Sequence, residues 1–554
     1  MPVIFHLDYY SIYLKEICYT IRIVTKSVVI CGMPASGKSR VGVMLSEKTG
    51  MELVDLDKTI ELNTGKTIAQ IFEEKGEDYF RKLETNALKK ALNPRGKIIS
   101  LGGGTLQNTK NQSLISRFRQ DGGLVVYLDV SYEVARERIE RKNTRPIFFE
   151  KGVEYWKELD KLRSKMFTAN CDVRLKTGTT DGAICEADVV ADLILEAVRN
   201  RVVRVVRENV VQYTITIGHN LTHQIPTKLR GSKKVAVFFT DSVKQHKDKV
   251  VDELKLQEFE VFEMQVADAE AGKTPKEYLD CLDFISSRKF TRTDAIIGVG
   301  GGAVTDLSGF VAATYMRGIK YINVPTSTLA AVDASTGGKT AINLPAGKNL
   351  CGAFYEPAAV YVDVDFFDTL PDREYRQGLA EALKMGLLFD SELEKLLLLI
   401  DRTDEQVQEI IERSVFLKAK VVGDDLTDNG VRELLNYGHT FGHAIEKLEN
   451  FKWNHGQAVS VGLVFAANVA EQLGMLTAQE VNRHLELLNV NGLPTKWDTT
   501  ASFDQMLNAM RVDKKSKDGD TRLVLLKGLQ NPKIVHNPPV DILKNAFDFV
   551  TQAR

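Results

Sequence analysis

The sequence predicts three consecutive folding units: an α/β domain with a parallel sheet, a second α/β domain, and an all-helical domain. A chain of 554 residues is too long for one hydrophobic core. Two apolar runs, Ser27–Cys31 and Ala295–Ile297, are predicted to be buried strands, and each leads through a glycine-rich turn into a helical pattern. From about Phe366 the pattern becomes helical. Both glycine turns therefore place backbone amides and a helix start where a phosphate group can bind.

The composition limits the classes of partner. Lys and Arg number 73 against 74 Asp and Glu, and the formal net charge of −1 argues against a general nucleic-acid binder. No apolar run approaches the roughly 20 residues that span a bilayer. The six cysteines are scattered without a C-x-x-C pair, which is typical of thiols in a reducing cytoplasm. We expect a cytoplasmic protein with small-molecule substrates, no nucleic-acid partner and no membrane association.

Residues 1–26 are predicted to be an extension that precedes the first domain. They are rich in aromatic residues, are mixed in charge, and lack the basic start and the apolar core of a signal peptide. The sequence assigns them no role.

The first glycine turn, Gly32–Ser39, fits the pattern G-x-x-x-x-G-K-[ST]. It follows a predicted strand and opens a predicted helix, which is the context that this motif requires. Backbone amides from Gly32 to Gly37 would cradle the phosphates, Lys38 would reach the β- and γ-phosphate oxygens, and Ser39 would ligate Mg²⁺. The first domain is therefore predicted to bind ATP with Mg²⁺.

Three further motifs resemble those of the shikimate kinase family. Residues 55–61, DLDKTIE, match its D-x-D-x-x-I-E motif, and residues 76–84, GEDYFRKLE, match its G-E-x-x-F-R-x-x-E motif. A predicted strand that ends in Gly102–Gly104 matches the turn that this family brings against its substrate. The resemblance implies that Asp55 orients Mg²⁺ through water, and that shikimate is bound by Asp57, Arg81 and Gly103.

A lid and a second arginine extend this resemblance. Arg145, in a polar and basic segment, matches the family's lid arginine, which closes over ATP and the transferring phosphate. Arg163 lies in RSKMF, which matches R-x-P-L-Y, although Lys165 replaces the usual Pro and Phe167 the usual Tyr. By this resemblance Arg163 joins Arg81 in holding the shikimate carboxylate. The first domain is predicted to span residues 27–200, and its predicted catalytic residues are Lys38, Asp57 and Arg145.

The second glycine turn, Gly300–Gly302, lies in a segment that is dense in charges of both signs. A nucleotide cradle beside such a set suits an anionic substrate that is converted with the help of a cofactor. The charged residues of this segment are Asp306, Arg317, Asp333, Lys339 and Lys348.

From about Val210 to the C-terminus the chain closely resembles the 3-dehydroquinate synthase family. The α/β part, residues 203–365, is predicted to be Rossmann-like and to bind NAD⁺, although it lacks the G-x-G-x-x-G motif. Ala269 stands where this family usually has Gly, and TLAAVD replaces its usual LLAQVD. The residues that the resemblance assigns to NAD⁺ are Asp241, Asp268, Glu270, Lys273, Gly301, Gly302, Asp306, Thr326, Ser327, Lys339, Lys348 and Thr369.

The helical part, residues 366–554, is predicted to bind a metal ion. By spacing alone, His439 and His443 are four residues apart on a helix and could both be ligands. The resemblance instead assigns one Zn²⁺ or Co²⁺ to Glu381, His439 and His455, and turns His443 toward the substrate. It assigns substrate contacts to Arg317, Asn349, Lys384, Lys418, Arg432, Asn436 and either Lys514 or Lys515. It implies catalytic roles for Asp333, Lys339, Lys384 and His443.

The two resemblances together imply a bifunctional enzyme of the shikimate pathway. One half would phosphorylate shikimate with ATP. The other would convert 3-deoxy-D-arabino-heptulosonate 7-phosphate to 3-dehydroquinate and phosphate, through hydride transfer to NAD⁺, phosphate elimination, hydride return and ring closure. A different small-molecule P-loop kinase fused to another sugar-phosphate cyclase or to a metal alcohol dehydrogenase is the alternative. We also expect a homo-oligomer formed through the synthase half.

Overall fold

The computed structural model describes residues 26–92, 96–120, 122–142, 146–177, 187–207, 210–426, 430–450, 452–511 and 521–553. These residues form two compact units. The first unit contains the described residues up to Asn200 together with Gly218–Arg230, and the second contains Arg201–Ile217 and the described residues from Gly231 onward. In the described part of the chain, no helix combines the length and the apolar composition that crossing a bilayer would require.

The first unit is built on a five-stranded parallel sheet in the order β2-β3-β1-β4-β5. Its central strand β1 is buried along its whole length, as expected of a parallel sheet that helices cover on both faces. The strands are β1 Val28–Gly32, β2 Glu52–Asp55, β3 Lys97–Ser100, β4 Leu124–Asp129 and β5 Val173–Lys176. The helices are α1 Lys38–Thr49, α2 Leu56–Thr64, α3 Ile68–Ala91, α4 Thr109–Gln120, α5 Tyr132–Lys142, α6 Pro146–Asn170, α7 Ala187–Arg199 and α8 Ile225–Lys228.

Two glycine turns end at the same edge of this sheet. Strands β1 and β3 are parallel neighbours, so the turn after Gly32 and the turn Gly102–Gly104 both lie at the carboxyl edge. Gly37 has a φ of 98° where it caps the start of α1, a conformation that other residues rarely adopt. The sheet therefore brings the predicted ATP and shikimate sites to one edge.

The second unit contains a seven-stranded sheet in the order β6-β7-β14-β11-β10-β8-β9. β6 and β7 pair antiparallel, and the strands from β14 to β9 pair parallel. The strands are β6 Arg201–Arg207, β7 Val210–Gly218, β8 Lys234–Phe239, β9 Glu260–Gln265, β10 Ala295–Gly300, β11 Lys320–Pro325 and β14 Ala359–Asp363, and the antiparallel hairpin is β12 Lys339–Leu344 with β13 Gly347–Phe354. The helices of this part are α9 Lys244–Leu256, α10 Pro275–Ser287 and α11 Gly302–Thr314.

The chain after residue 366 is mainly helical. Helix α16 is buried over most of its surface, so it forms the centre of this region. The helices are α12 Asp372–Phe389, α13 Ser391–Leu397, α14 Asp404–Asp424, α15 His439–Leu448, α16 His455–Gln472, α17 Ala478–Val490, α18 Phe503–Arg511 and α19 Val540–Val550. Two small sheets, which the sequence did not predict, pair β15 Trp497–Thr499 with β18 Thr551–Ala553 and β16 Arg522–Leu526 with β17 Pro532–His536. The predicted fold class is confirmed.

Candidate active sites

The glycine turn of the first unit is a compact loop with oxygen ligands beside it. Lys38 Nζ donates hydrogen bonds to the carbonyls of Gly32 and Met33, at 2.9 and 3.0 Å. Ser39 Oγ donates to Asp55 Oδ2 at 2.9 Å. A hydroxyl and a carboxylate oxygen at this distance are the ligand types that Mg²⁺ takes in nucleotide sites. The residues present therefore fit ATP with Mg²⁺.

The turn Gly102–Gly104 lies against the side chains predicted to bind shikimate. A Cβ placed on Gly102 would lie 2.8 Å from Asp57 Oδ1, and one on Gly103 would lie 3.5 Å from Arg163 Nη1. A Cβ on Gly104 would lie 2.9 Å from Arg81 Nη2. The contacts at Gly102 and Gly104 are too short for a Cβ unless the side chains shift, whereas the contact at Gly103 is an ordinary van der Waals distance. The structure thus brings Asp57, Arg81 and Arg163 together around one turn.

The two arginines are held differently. Arg81 pairs with Glu84 at 2.9 Å and with Glu77 at 3.0 Å, and the Glu84 side chain is only 1% exposed. Arg163 Nη2 donates to Gln107 Oε1 at 3.3 Å. Burial and the charge of Arg81 lower the pKa of Arg163. Two guanidinium groups that repel each other across a small space are suited to share one carboxylate.

Two further arginines of the first unit belong to the predicted lid segment or to the sequence just before it. Arg145, the predicted lid residue, lies outside the described residues. Arg138 was missed by the sequence analysis: its Nη1 donates to the Ala35 carbonyl at 3.0 Å. Ala35 has a φ of 62°, so Arg138 holds a turn of the phosphate-binding loop in an unusual backbone conformation. The basic segment before the lid was the available signal, but it did not single out one residue.

In the second unit, the residues predicted to bind NAD⁺ begin at the carboxyl edge of the sheet. A Cβ on Gly302, the first residue of α11, would lie 3.2 Å from Ala334 Cβ. A Cβ on Gly301 would lie 3.4 Å from Ser327 Oγ. The Thr326 amide donates to the Gly300 carbonyl at 3.0 Å, which joins the ends of β10 and β11. This cradle, which a side chain would fill, fits the pyrophosphate of a dinucleotide.

Polar contacts link further residues of the predicted NAD⁺ set. Buried Lys273 donates to Asp306 Oδ2 at 2.6 Å and to Asn349 Oδ1 at 2.5 Å. Burial raises the pKa of Asp306, against the opposing charge of Lys273. The other contacts are Ser242 Oγ to Asp268 at 3.0 Å, Asn343 Nδ2 to Glu270, His246 Nε2 with Thr369 Oγ1 at 2.7 Å, and Lys348 Nζ to Glu446 at 3.3 Å. Asp241 begins the turn that follows β8.

A cavity of about 660 Å³ adjoins this network. Its lining includes nine residues predicted from the sequence: Asp306, Asp333, Lys339, Asn349, Lys418, Arg432, Asn436, His439 and His443. The sequence analysis missed further lining residues: Glu433, Thr440, Met510, Arg522 and Val524. Arg522 Nη2 donates to Glu433 Oε2 at 3.1 Å. Arg522 lies a few residues after the predicted segment of Lys514 and Lys515, but it matches none of the motifs, so no local pattern indicated it.

Three side chains beside the cavity form a candidate metal centre. One ligand atom each from Glu381, His439 and His455 lies within 4.8 Å of the other two. Glu381 Oε1 lies 3.2 Å from His439 Nε2 and 3.4 Å from His455 Nε2. Within the described chain this buried oxygen has no hydrogen-bond partner. An unsatisfied carboxylate oxygen that faces two imidazole nitrogens fits a divalent ion such as Zn²⁺ or Co²⁺.

In both histidines Nδ1 contacts a neighbouring oxygen, and Nε2 faces Glu381. His439 Nδ1 lies 3.1 Å from the Tyr437 carbonyl, which can only accept, so the ring proton is on Nδ1. His455 Nδ1 lies 3.3 Å from Glu446 Oε2, and Glu446 can accept a hydrogen bond from the Nδ1–H in the same way. A carboxylate behind a metal-binding histidine fixes the ring and its tautomer. Glu446 was not predicted, because its spacing from His455 matches no metal motif.

Buried ion pairs surround this centre. Glu381 pairs with Lys384, and Lys418 Nζ lies 2.7 Å from Asp333 Oδ1. Burial lowers the pKa of Lys418 to about 8, although Asp333 opposes the shift. Burial alone would raise the pKa of Asp333, but Lys418 and Lys384 together outweigh it, and the pKa is lowered. Arg432 donates to the carbonyls of Leu426 and Gly337, at 2.7 and 3.2 Å.

Arg317 and Lys384, both predicted substrate contacts, are absent from the described lining of the cavity. Arg317 lies beyond the C-terminal end of α11, whereas the glycine turn lies at its start. A helix of 13 residues separates the two by about 20 Å. The structure therefore does not place Arg317 at this cavity within the described chain, and its contact with substrate stays a prediction. Lys514 and Lys515 lie outside the described residues.

Comparison with known proteins identifies both units. Residues 34–199 match the family profile "Shikimate kinase", residues 263–377 match "3-dehydroquinate synthase N-terminal", and residues 378–516 match "3-dehydroquinate synthase C-terminal". The 3-dehydroquinate synthase of Pseudarthrobacter chlorophenolicus is 43% identical over 344 residues, which are 61% of this chain and 94% of the relative. That of Rhodococcus erythropolis is 41% identical over 355 residues, 63% of this chain and 96% of the relative.

Solved structures agree with the fold of the second unit. 2-epi-5-epi-valiolone synthase from Streptomyces hygroscopicus, with NAD⁺ and Zn²⁺ bound, has a TM-score of 0.57 at 23% identity, covering 63% of this chain and 99% of that one. A 2-deoxy-scyllo-inosose synthase complexed with carbaglucose-6-phosphate, NAD⁺ and Co²⁺ has a TM-score of 0.56 at 23% identity, covering 63% and 100%. The chain belongs to the 3-dehydroquinate synthase family, and a shikimate kinase domain precedes its synthase domains.

Proposed function

We propose that the first unit phosphorylates shikimate with ATP, and that the second converts 3-deoxy-D-arabino-heptulosonate 7-phosphate to 3-dehydroquinate and phosphate. The proposal rests on one observation: residues from separate sequence motifs meet in space. Nine residues predicted from separate motifs line one cavity beside a candidate metal centre. Three more meet at one glycine turn near the phosphate-binding loop.

In the kinase unit, the residues act by positioning and by neutralising charge. Arg81 and Arg163 hold the carboxylate of shikimate, which orients the ring. Asp57 lies at the same turn and accepts a proton or a hydrogen bond from the attacking hydroxyl. Lys38, which in the structure donates to loop carbonyls, turns its ammonium to the phosphate oxygens. Alignment and charge neutralisation account for most of the catalysis of phosphoryl transfer.

In the synthase unit, charged side chains surround a phosphorylated sugar acid. Lys418 and Arg432 supply the positive charge that holds phosphate and carboxylate groups. Asp333 is kept ionised by Lys418 and accepts hydrogen bonds from ring hydroxyls. His443, at the cavity wall, takes or returns a proton at a ring nitrogen. When bound, NAD⁺ supplies a reversible hydride acceptor, and the divalent ion held by Glu381, His439 and His455 polarises neighbouring hydroxyls.

Two assays on one purified chain test the proposal. Phosphate release from the heptulosonate phosphate should require NAD⁺ only in catalytic amount, should stop after chelation, and should return with Zn²⁺ or Co²⁺. Formation of ADP should require shikimate and Mg²⁺ and should be insensitive to loss of NAD⁺. Phosphate release that needed one NAD⁺ per turnover, or ADP formation without shikimate, would refute the corresponding half.

The oligomeric state and a cytoplasmic location stay predictions. Association through the synthase unit is supported by β6, which is an edge strand of the seven-stranded sheet. Val202 and Val206 of this strand are exposed, as are Val210 and Val211 of β7. Exposed valines on an edge strand, here interspersed with Arg201, Arg204 and Arg207, are a surface that a second chain can cover. Light scattering during gel filtration should give a mass of two or more chains, and Val206→Lys should lower it.

A further inference from the structure

A second cluster of metal-ligating side chains lies beside the candidate metal centre. His443 and Glu446 are three residues apart on α15, so their side chains emerge on the same face of the helix. His455, the first residue of α16, faces them. One ligand atom of each of these three residues lies within 4.8 Å of the other two. The Glu381, His439 and His455 cluster meets the same limit, and the two clusters share His455.

His455 reaches the two clusters through different ring nitrogens. Its Nε2 lies 3.4 Å from Glu381 Oε1, and its Nδ1 lies 3.3 Å from Glu446 Oε2. A cation on the Nε2 side leaves the proton on Nδ1, where Glu446 accepts it and orients the ring. A cation placed between Nδ1 and Glu446 must first displace that proton. The second position is therefore the weaker of the two.

Lys348 further weakens the second position. Its Nζ lies 3.3 Å from Glu446 Oε1, the oxygen that does not face His455. An ammonium group on one oxygen of a carboxylate repels a divalent cation on the other. The Glu446 side chain is only 7% exposed, so solvent screens this repulsion poorly. Lys348 thus favours the use of Glu446 as an orienting group over its use as a ligand.

We propose that His443, Glu446 and His455 form a second, weaker binding site for Zn²⁺ or a similar divalent cation, and that occupancy of this site inhibits the synthase reaction. Two imidazoles and one carboxylate are ligands that suit Zn²⁺. His443 lines the cavity, which gives a cation from solvent a route to the site. A bound cation withdraws His443 from the substrate and Glu446 from His455. The inhibition rests on the proposed function, whereas the binding of a second ion does not.

Equilibrium dialysis against zinc chloride tests the binding. Chelator-treated wild-type chain should take up one Zn²⁺ tightly and a second at a free concentration roughly 10–100-fold higher, the range that loss of an orienting contact typically costs. Glu381→Gln should remove the tight site and keep the weak one. The double variant Glu381→Gln/Glu446→Gln should lose both. Wild-type chain that saturates at one Zn²⁺, or a single and a double variant with equal uptake, would overturn the proposal.

The synthase assay tests the inhibition. The rate should rise to a maximum at one Zn²⁺ per chain and then fall by roughly 100-fold as the second binds, since one proton-transfer group contributes about that much. In Glu446→Gln the maximal rate is lower, but excess Zn²⁺ should no longer reduce it. A rate that stays constant while the second ion binds would refute the inhibition. A chain with no synthase activity at any Zn²⁺ concentration would refute the proposed function and leave the dialysis result standing.

Discussion

The two active sites differ in how their charged groups are balanced before a substrate binds. In the kinase unit, Arg163 lies near a second arginine, and its pKa is lowered by burial and by Arg81. In the synthase unit, opposite charges are paired at short range, as in Lys418 with Asp333 and Lys384 with Glu381. In the kinase site, Arg163 thus contacts the amide oxygen of Gln107, whereas in the synthase site these lysines contact carboxylates.

This difference determines how much free energy is lost when a single charged residue is substituted. Removing one partner of a buried ion pair leaves the other charge buried and uncompensated, which typically costs about 3–5 kcal/mol. Glu381 and Lys384 are 1% and 2% exposed, so no solvent replaces a lost partner. Arg81 is held by carboxylates whose side chains differ in exposure, and its own side chain is 23% exposed. We therefore expect larger losses from charge removal in the synthase site than in the kinase site.

The largest effect is expected from Glu381→Gln. It removes a ligand of the candidate metal centre and the partner of Lys384, and several kcal/mol of transition-state stabilisation corresponds to a fall in synthase kcat of about 10³-fold or more. Kinase activity of the same chain should not change. Glu392→Gln, the same substitution at an exposed residue of α13, is the matched control and should leave both activities intact. A parallel fall in both activities would mean that the two sites are not independent.

Lys38→Met should produce the next largest effect, on the kinase alone. Loss of the ammonium that neutralises the transferring phosphate should lower kinase kcat by about 10²–10³-fold. Lys48→Met removes a lysine of the same helix that pairs with Asp192 at 2.6 Å, and it should leave kinase activity within about twofold, because exposed pairs contribute little. Equal losses in the two variants would show that Lys38 acts through the stability of α1. Thermal unfolding of both variants distinguishes a loss of catalysis from a loss of stability.

Arg163→Lys tests whether the guanidinium beside Gln107 binds the shikimate carboxylate. Lysine keeps the charge but loses the planar fork, so the KM for shikimate should rise about tenfold while kcat changes little. Arg163→Gln should cost more, since charge-assisted hydrogen bonds contribute about 1.5–3 kcal/mol. Steady-state kinetics at saturating ATP measure both. If KM were unchanged in both variants, the carboxylate would be bound elsewhere.

The comparison also explains what could be predicted from the sequence. The phosphate-binding loop is one contiguous motif, and its strand, turn and helix follow from local patterns. The metal centre is not local: spacing alone allows His439 with His443, yet the structure groups His439 with Glu381 and His455. Glu446 acts through a contact that the packing of two helices creates, and Arg522 acts through a contact between strand β16 and Glu433, 89 residues away in sequence. Arg317 matches a family motif, yet it lies beyond the opposite end of α11 from the glycine turn, so its contact with substrate stays a prediction.

The pH dependence of the two activities should separate the sites further. Burial lowers the pKa of Lys418 to about 8, so its ammonium is present below this pH and is lost as the pH rises through it. Synthase kcat/KM should therefore fall about tenfold for each pH unit above 8. Lys418→Arg keeps the charge and should move this alkaline limb to higher pH, at some cost in the maximal value. If the fall in kcat/KM above pH 8 were unchanged in this variant, a group other than Lys418 would be responsible for it.

Arg138→Lys should have the smallest effect on activity, and it tests whether the phosphate-binding loop and the shikimate site of the kinase unit are independent. Arg138 Nη1 donates to the Ala35 carbonyl at 3.0 Å, and Ala35 has a φ of 62°, so the side chain supports a turn of the loop that few residues adopt unaided. Burial and the charge of Arg40 lower the pKa of Arg138, which indicates an environment where positive charge is already in excess. Loss of this contact, worth about 1 kcal/mol at a half-exposed position, should raise the KM for ATP about fivefold and leave the KM for shikimate unchanged. A rise in the KM for shikimate instead would mean that the phosphate loop and the glycine turn move together, and the kinase site would then be as tightly coupled as the synthase site.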